Sequence, residues 1–158
     1  DIIRGTPSIL QLMIIYYVIF KSVNINIVIV GILAFGINSG AYVSEIIRAG
    51  INSVDKGQFE AGYGLGLSYG KVMRYIILPQ AFKNILPAMG NEFITLIKDS
   101  SLISCIGAVE LLKGAQVIGA EYYDVMSPYM LAAIFYLIMT CIVSCIGNKV
   151  EKRLAVSD

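Results

Sequence analysis

Glu60 to Pro79 reads EAGYGLGLSYGKVMRYIILP. The order of residue types predicts a short helix, a glycine stop and a second amphipathic helix closed by a proline. Gly66 suits the left-handed position after a helix C-terminus, and Leu67 supplies the apolar contact that accompanies such a turn. Ser68 is a good N-cap for the next helix. On that helix Tyr69, Val72, Tyr75 and Ile76 share one face, while Lys71 and Arg74 point elsewhere. Pro79 cannot continue a hydrogen-bond ladder as an interior residue, but it can open a following helix.

The 158 residues around this stretch are 57% hydrophobic and 15% charged, with a mean hydropathy of +0.75. A soluble domain carries about 25% charged residues, so this is a membrane protein. A net charge of +1 gives no electrostatic basis for binding nucleic acid. Cys105, Cys141 and Cys145 lie in apolar stretches, an odd set that argues against a disulfide framework and reads as small packing residues. Histidine is absent, which excludes Ser-His and Cys-His catalysis and every His-ligated metal site.

The stretch resembles the EAA loop of binding-protein-dependent ABC importers, in which Glu-Ala-Ala is followed by Gly and then by Ile-x-Leu-Pro. Glu60, Ala61, Gly66, Ile76, Leu78 and Pro79 match at that family's spacing, and Gly62 replaces the second Ala, a change that loosens the first helix slightly. The resemblance implies that these seven residues belong to a cytoplasmic coupling helix seated in a groove of an ATP-binding subunit. The alternative is an ordinary surface helix–turn–helix between membrane spans.

Taken in order, Ile9–Phe20 is too short an apolar run to cross a bilayer core, which takes about 20 residues. Arg4-Gly5-Thr6-Pro7 with Gln11-Leu12 resembles the RGTP segment of the polar amino-acid subfamily of these permeases. That implies a chain starting at Asp1 inside the family's second transmembrane helix, with the first missing; alone, RGTP is a simple turn with Pro7 at the first helical position. Lys21–Asn26 is a polar connection. Ile27–Ile47 is a segment of spanning length in which Gly36, Gly40 and Ser44 form a stripe that lets another helix approach. Ile37 to Tyr42, with Glu45-Ile46 and Arg48-Ala49-Gly50, again resembles the subfamily. Asn38 either bonds across helices or contacts substrate.

Hydrophobicity drops over residues 48–87, where Lys56, Lys71, Arg74 and Lys83 face Asp55 and Glu60, so the positive-inside bias places this region in the cytoplasm. Ala88–Leu112 returns to the membrane carrying Asn91, Glu92, Thr95, Lys98, Asp99 and several serines. Such charges normally face a bundle interior or a water-filled cavity. Glu92, Thr95 and Asp99 fall on one helix face, and the run from Leu96 to Leu102 resembles the family's pathway-bordering helix. Lys113–Ser127 reads as a polar outside loop, with Ser127 capping a helix that Pro128 begins. Tyr129–Ile146 is the last span, and Lys149, Lys152 and Arg153 put the C-terminus inside.

Gly62, Gly64, Gly66 and Gly70 are not followed by Gly-Lys-Ser/Thr, so the chain has no P-loop. Glu92 and Asp99 are a weak case for hydrolysis without a sugar-binding aromatic belt. The expected fold is an all-α membrane protein, one transmembrane permease domain over residues 1–158 of the type I ABC importer kind. The expected function is passage of a polar amino acid by alternating access, driven by ATP hydrolysis in a separate subunit; a passive pore or a scaffold is the competing reading. The resemblance implies two copies of that ATP-binding subunit, a second permease chain, identical or similar, and an extracytoplasmic amino-acid-binding protein. It also implies a bacterial inner-membrane location and no cofactor. Asp99, Asn38, Thr95, Ser100, Thr6 and Gln11 are the candidate substrate contacts. Asp99 could instead pair structurally with Arg4 or with Lys98 of a neighbouring subunit.

Overall fold

The computed structural model describes residues 2–155, with side chains to residue 152; Asp1 and the Arg153 side chain in the basic tail lie outside the described residues. Seven α-helices are described, and no strand is found among these residues. Helix α1, Ser8–Ile14, starts behind Pro7 and widens into a π-turn over Ile15–Ile19. Helix α2, Ile27–Asn52, is opened by Asn26, whose side chain accepts from the Val28 amide at 2.8 Å. It runs past the expected end at Ile47. The Arg48 guanidinium bonds Glu45 one turn back, through Nη2 at 2.6 Å and Nε at 3.2 Å, so these charges support the helix and do not end it.

Helix α3, Lys56–Gly64, and the short α4, Tyr69–Val72, form the helical pair expected within Glu60–Pro79. The proline does not close that pair. Residues Met73–Ile77 form a π-turn in which the Leu78 amide reaches the Met73 carbonyl, and helix α5, Leu78–Asp99, follows directly with Pro79 in its first turn. Widening the turn by one residue clears the proline ring and absorbs its missing donor. The shift in register also divides the expected apolar face: Val72 is buried and Ile76 half-buried, while Tyr69 and Tyr75 are exposed. Pro87 is likewise carried inside α5.

The expected single segment Ala88–Leu112 is broken. After Asp99 the chain tightens into a 3-10 helix over Ser100–Ile106, where the hydroxyls of Ser100, Ser101 and Ser104 each donate to the carbonyl three residues back. Gly107, at φ +93°, ends it. Helix α6, Leu111–Tyr122, leaves at an angle of 50° to the preceding rod. The predicted loop Lys113–Ser127 is therefore mostly helix, because Glu110 caps it by accepting from Leu112 and Lys113 at 2.7 Å each. Helix α7, Met126–Ala155, completes the chain. Its cap is Asp124, which accepts from the Met126 and Ser127 amides; Ser127 lies inside the first turn.

Helices α2 and α7 are long and apolar enough to cross a membrane, and the bent pair from Tyr69 to Tyr122 passes the same test as one broken span; Ser8–Ile19 is a shorter apolar helix. One buried cluster joins Leu12, Val30, Ala34 and Ile106, and a second joins Val54, Val72, Ile77 and Ala81. Close helix approach occurs at Gly31, against Ile103, and at Gly50, against Ile85. Gly36 and Gly40 instead face open space, and Ser44 is exposed with its hydroxyl donated to the Ala41 carbonyl at 2.8 Å. The three cysteines are also exposed and are not packing residues within the chain.

Candidate functional site

Three elements meet around a polar cavity of about 470 Å³. The segment before α1 contributes Arg4 and Thr6, α2 contributes Asn38 and Tyr42, and α5 contributes Glu92, Thr95 and Asp99. Asn38 sits near the middle of α2, a helix roughly 39 Å long at 1.5 Å per residue. The i, i+3, i+7 spacing on α5 does what its periodicity requires, turning Glu92, Thr95 and Asp99 to one wall.

The hydrogen bonds around this cavity form a directed chain. The Gln11 amide nitrogen donates to the Ile3 carbonyl at 2.6 Å, the Thr6 carbonyl at 3.1 Å and the Thr6 hydroxyl at 2.6 Å. Its amide oxygen accepts from the Asn38 amide nitrogen at 3.0 Å. Asn38 thus makes the cross-helix bond, and it also lines the cavity. The Thr6 hydroxyl donates to the Ile2 carbonyl at 3.1 Å, Thr95 to Asn91 at 3.1 Å and Tyr42 to Arg4 at 3.3 Å.

Of the six candidate contacts, Thr6, Asn38, Thr95 and Asp99 are brought together on the wall. Gln11 stands behind Asn38 as its support. Ser100 is exposed, spends its hydroxyl on Ile97 at 2.7 Å and does not line the cavity, because the tightening of the helix after Asp99 turns it away. Arg4 pairs with Glu45 at 3.3 Å; Asp99 has no ion-pair partner among the described residues. Tyr42 and Glu92 complete the wall. Tyr42 follows Asn38 by one helical turn, and Glu92 shares a face with Thr95, so spacing alone pointed to both.

The Glu60–Pro79 loop is a second, separate feature. The Leu67 amide bonds the Gly62 carbonyl at 3.2 Å and the Gly66 amide bonds the Tyr63 carbonyl at 2.9 Å, with Gly66 at φ +74°. These paired bonds are a Schellman turn, as Gly66 predicted. Ser68 sits at the N-cap but its side chain makes no cap bond. Gly62 is buried against Val72 and Ile76, where an ideal Cβ would fall 2.9 and 3.1 Å from them. The alanine-to-glycine departure therefore permits close approach of α3 and α4. Glu60, Ala61, Gly66, Leu78 and Pro79 are exposed and Ile76 is half-buried. Gln80 bonds Gln58 at 3.3 Å and Asn84 bonds Ser53 at 2.8 Å, clamping α5 to α3 and to the end of α2. No sequence pattern signalled those two clamps.

Residues 1–156 match the family described as binding-protein-dependent transport system inner membrane component. A Rickettsia bellii protein provisionally named a glutamine transport system permease is 47% identical over 159 residues, covering 99% of this chain and 73% of that protein. The arginine transport system permease protein ArtQ of Bacillus subtilis is 45% identical over 160 residues, covering 100% of this chain and 73% of that protein. A crystal structure of an amino acid ABC transporter with histidines superposes with a TM-score of 0.90 at 45% identity, over 96% of this chain and 72% of that one. The EAA-type loop, the polar cavity between apolar helices and these matches agree: the chain belongs to the binding-protein-dependent ABC importer permeases, the inner-membrane component of such transport systems.

Proposed function

We propose that this chain forms one half of the pathway by which a polar amino acid enters a bacterial cell, and that its cavity is where the amino acid passes. The observation that carries this reading is the wall of Thr6, Asn38, Thr95 and Asp99 at the mid-depth of α2, a polar site between apolar helices. Ionisable groups at that depth mark substrate paths by default. Gln11 holds Asn38 in place, and Ser100 is set aside as a contact.

The Glu60–Pro79 loop is the coupling element. Two copies of an ATP-binding subunit, each receiving one such loop, would close on nucleotide and move it. Glu60, Ala61 and the exposed side chains Leu65 and Tyr69 form the docking face, while Gly62, Gly66 and Ile76 hold α3 and α4 together. Leu78 and Pro79 pass the motion into α5. Because Gln58–Gln80 ties α3 to α5 and Ser53–Asn84 ties α5 to the end of α2, displacement moves those helices as one body and opens the cavity to alternate sides. Nucleotide biases the equilibrium through its differential affinity for the two states. Residues 48–87 and the C-terminus face the cytoplasm, with loading from a solute receptor on the other side. A second permease chain, identical or similar, forms the other half.

Reconstitution into lipid vesicles with the ATP-binding subunit and the receptor tests this. Uptake of a polar amino acid that requires ATP is expected. ATP-independent leakage down the gradient would instead identify a pore.

A further inference from the structure

Relatives at nearly equal identity carry names for different amino acids, glutamine at 47% and arginine at 45%, so similarity does not choose the substrate. The hydrogen-bond polarity of the cavity does. Two of the three acceptors of the Gln11 amide nitrogen are backbone carbonyls, of Ile3 and Thr6, which only accept. The Gln11 side chain cannot be turned round without setting its oxygen against those carbonyls. Its oxygen must therefore face Asn38, and Asn38 must present its amide nitrogen to it. The Asn38 carbonyl oxygen, on a side chain about nine-tenths buried, is left without a partner among the described residues and belongs to the cavity wall.

The other groups on the wall have the same sense. Thr6, Thr95 and Tyr42 each spend the hydroxyl proton on a backbone carbonyl, leaving lone pairs. Glu92 and Asp99 are acceptors only when ionised, and neither has an ion-pair or hydrogen-bond partner among the described residues. Arg4, the cation on this wall, is engaged by Glu45. The cavity thus offers acceptors and, with Arg4 set against Glu92 and Asp99, a net charge of −1.

We infer that the cavity selects an amino acid with a cationic side chain, of the arginine or lysine type. Its α-ammonium and its side-chain cation meet Asp99, Glu92 and the Asn38 carbonyl oxygen. A neutral amide side chain leaves that net negative charge uncompensated. An acidic side chain adds a like charge. This inference rests on the import reading and adds the substrate class to it.

The test is direct binding to the detergent-purified complete transporter without the receptor, so that receptor preference does not intrude. L-arginine, L-lysine, L-glutamine and L-glutamate are the probes, with uptake into vesicles measured in parallel. Saturable binding of arginine and lysine is expected, with glutamine at least about tenfold weaker and glutamate weaker still. Competition among the four on the unaltered protein needs no variant. Asp99→Asn and Glu92→Gln should each lower arginine affinity by roughly thirtyfold, and at the position that meets the side-chain cation glutamine binding should change little. Glutamine bound as tightly as arginine, with ATP-driven uptake intact, overturns the inference and leaves the import reading standing. Failure of all four probes to bind, with no uptake of any, overturns both.

Discussion

The Tyr136 hydroxyl on α7 donates to the Glu110 carboxylate at 2.9 Å, and the same carboxylate caps α6 through Leu112 and Lys113. One side chain thus starts α6 after the break at Gly107 and ties it to the neighbouring long helix. Replacing Glu110 with Ala leaves three donors without an acceptor and should cost about 1–3 kcal/mol. Tyr136→Phe, which removes a single bond, should cost about 1 kcal/mol. Thermal unfolding of the purified protein should rank wild type above Tyr136→Phe above Glu110→Ala; equal midpoints for the two variants would show that the helix cap contributes nothing.

At Gly50 helices α2 and α5 approach closely: an ideal Cβ there lies 2.2 Å from Ile85 Cγ1. Gly50→Ala should destabilise by about 1–3 kcal/mol through overpacking. Shortening the opposing side chain with Ile85→Val should recover part of that loss in the double variant. Additive losses in unfolding midpoints would mean that the two positions do not press on each other.

Gly66 holds φ +74° with open space beside it, so a substitution is penalised by the backbone and not by crowding. Gly66→Val should cost roughly 1–2 kcal/mol of local strain, whereas Gly66→Asn, which tolerates the left-handed region, should be far milder. Under the coupling reading, ATP-dependent uptake should be lost in the valine variant with membrane insertion intact. Full uptake by Gly66→Val would remove the loop from the mechanism.

Asp124, just ahead of α7, accepts from Ser127 and Met126, and chiefly the Ser127 hydroxyl holds its carboxyl below the ordinary aspartate range. A carboxyl whose pKa is lower when folded binds fewer protons in the native state. Its stabilisation is therefore present above the unfolded value, about 3.9, and fades as the pH falls through the folded one. Comparing unfolding midpoints of wild type and Asp124→Ala from pH 7 down to 3 should show a gap that narrows in acid. A gap independent of pH would assign the effect to something other than this carboxylate.

Much of the architecture was legible because it depends on neighbours in the chain. The long apolar runs announced α2 and α7, and Gly66 announced the turn its φ requires. The α5 face of Glu92, Thr95 and Asp99 followed from helical period. Misreadings arose where two local signals competed. Pro79 read both as a close and as the opening of a following helix; it opens α5, but the π-turn before it joins the two helices without a stop. The polar residues after Lys113 suggested a loop, yet Glu110 supplied a cap and Leu111, Ala115 and Ile118 an apolar helix.

By itself, then, the sequence determined that this is a helical membrane protein with a glycine-broken EAA-type loop, since composition, period and backbone preference act over a few residues. Only the tertiary structure decided which side chains share the cavity, that Ser100 is excluded, that Arg4 answers Glu45 and not Asp99, and which way the Asn38 amide points. Those outcomes depend on bonds between residues far apart in the chain, 27 positions for Gln11 and Asn38. A donor has no direction until the fold sets an acceptor beside it.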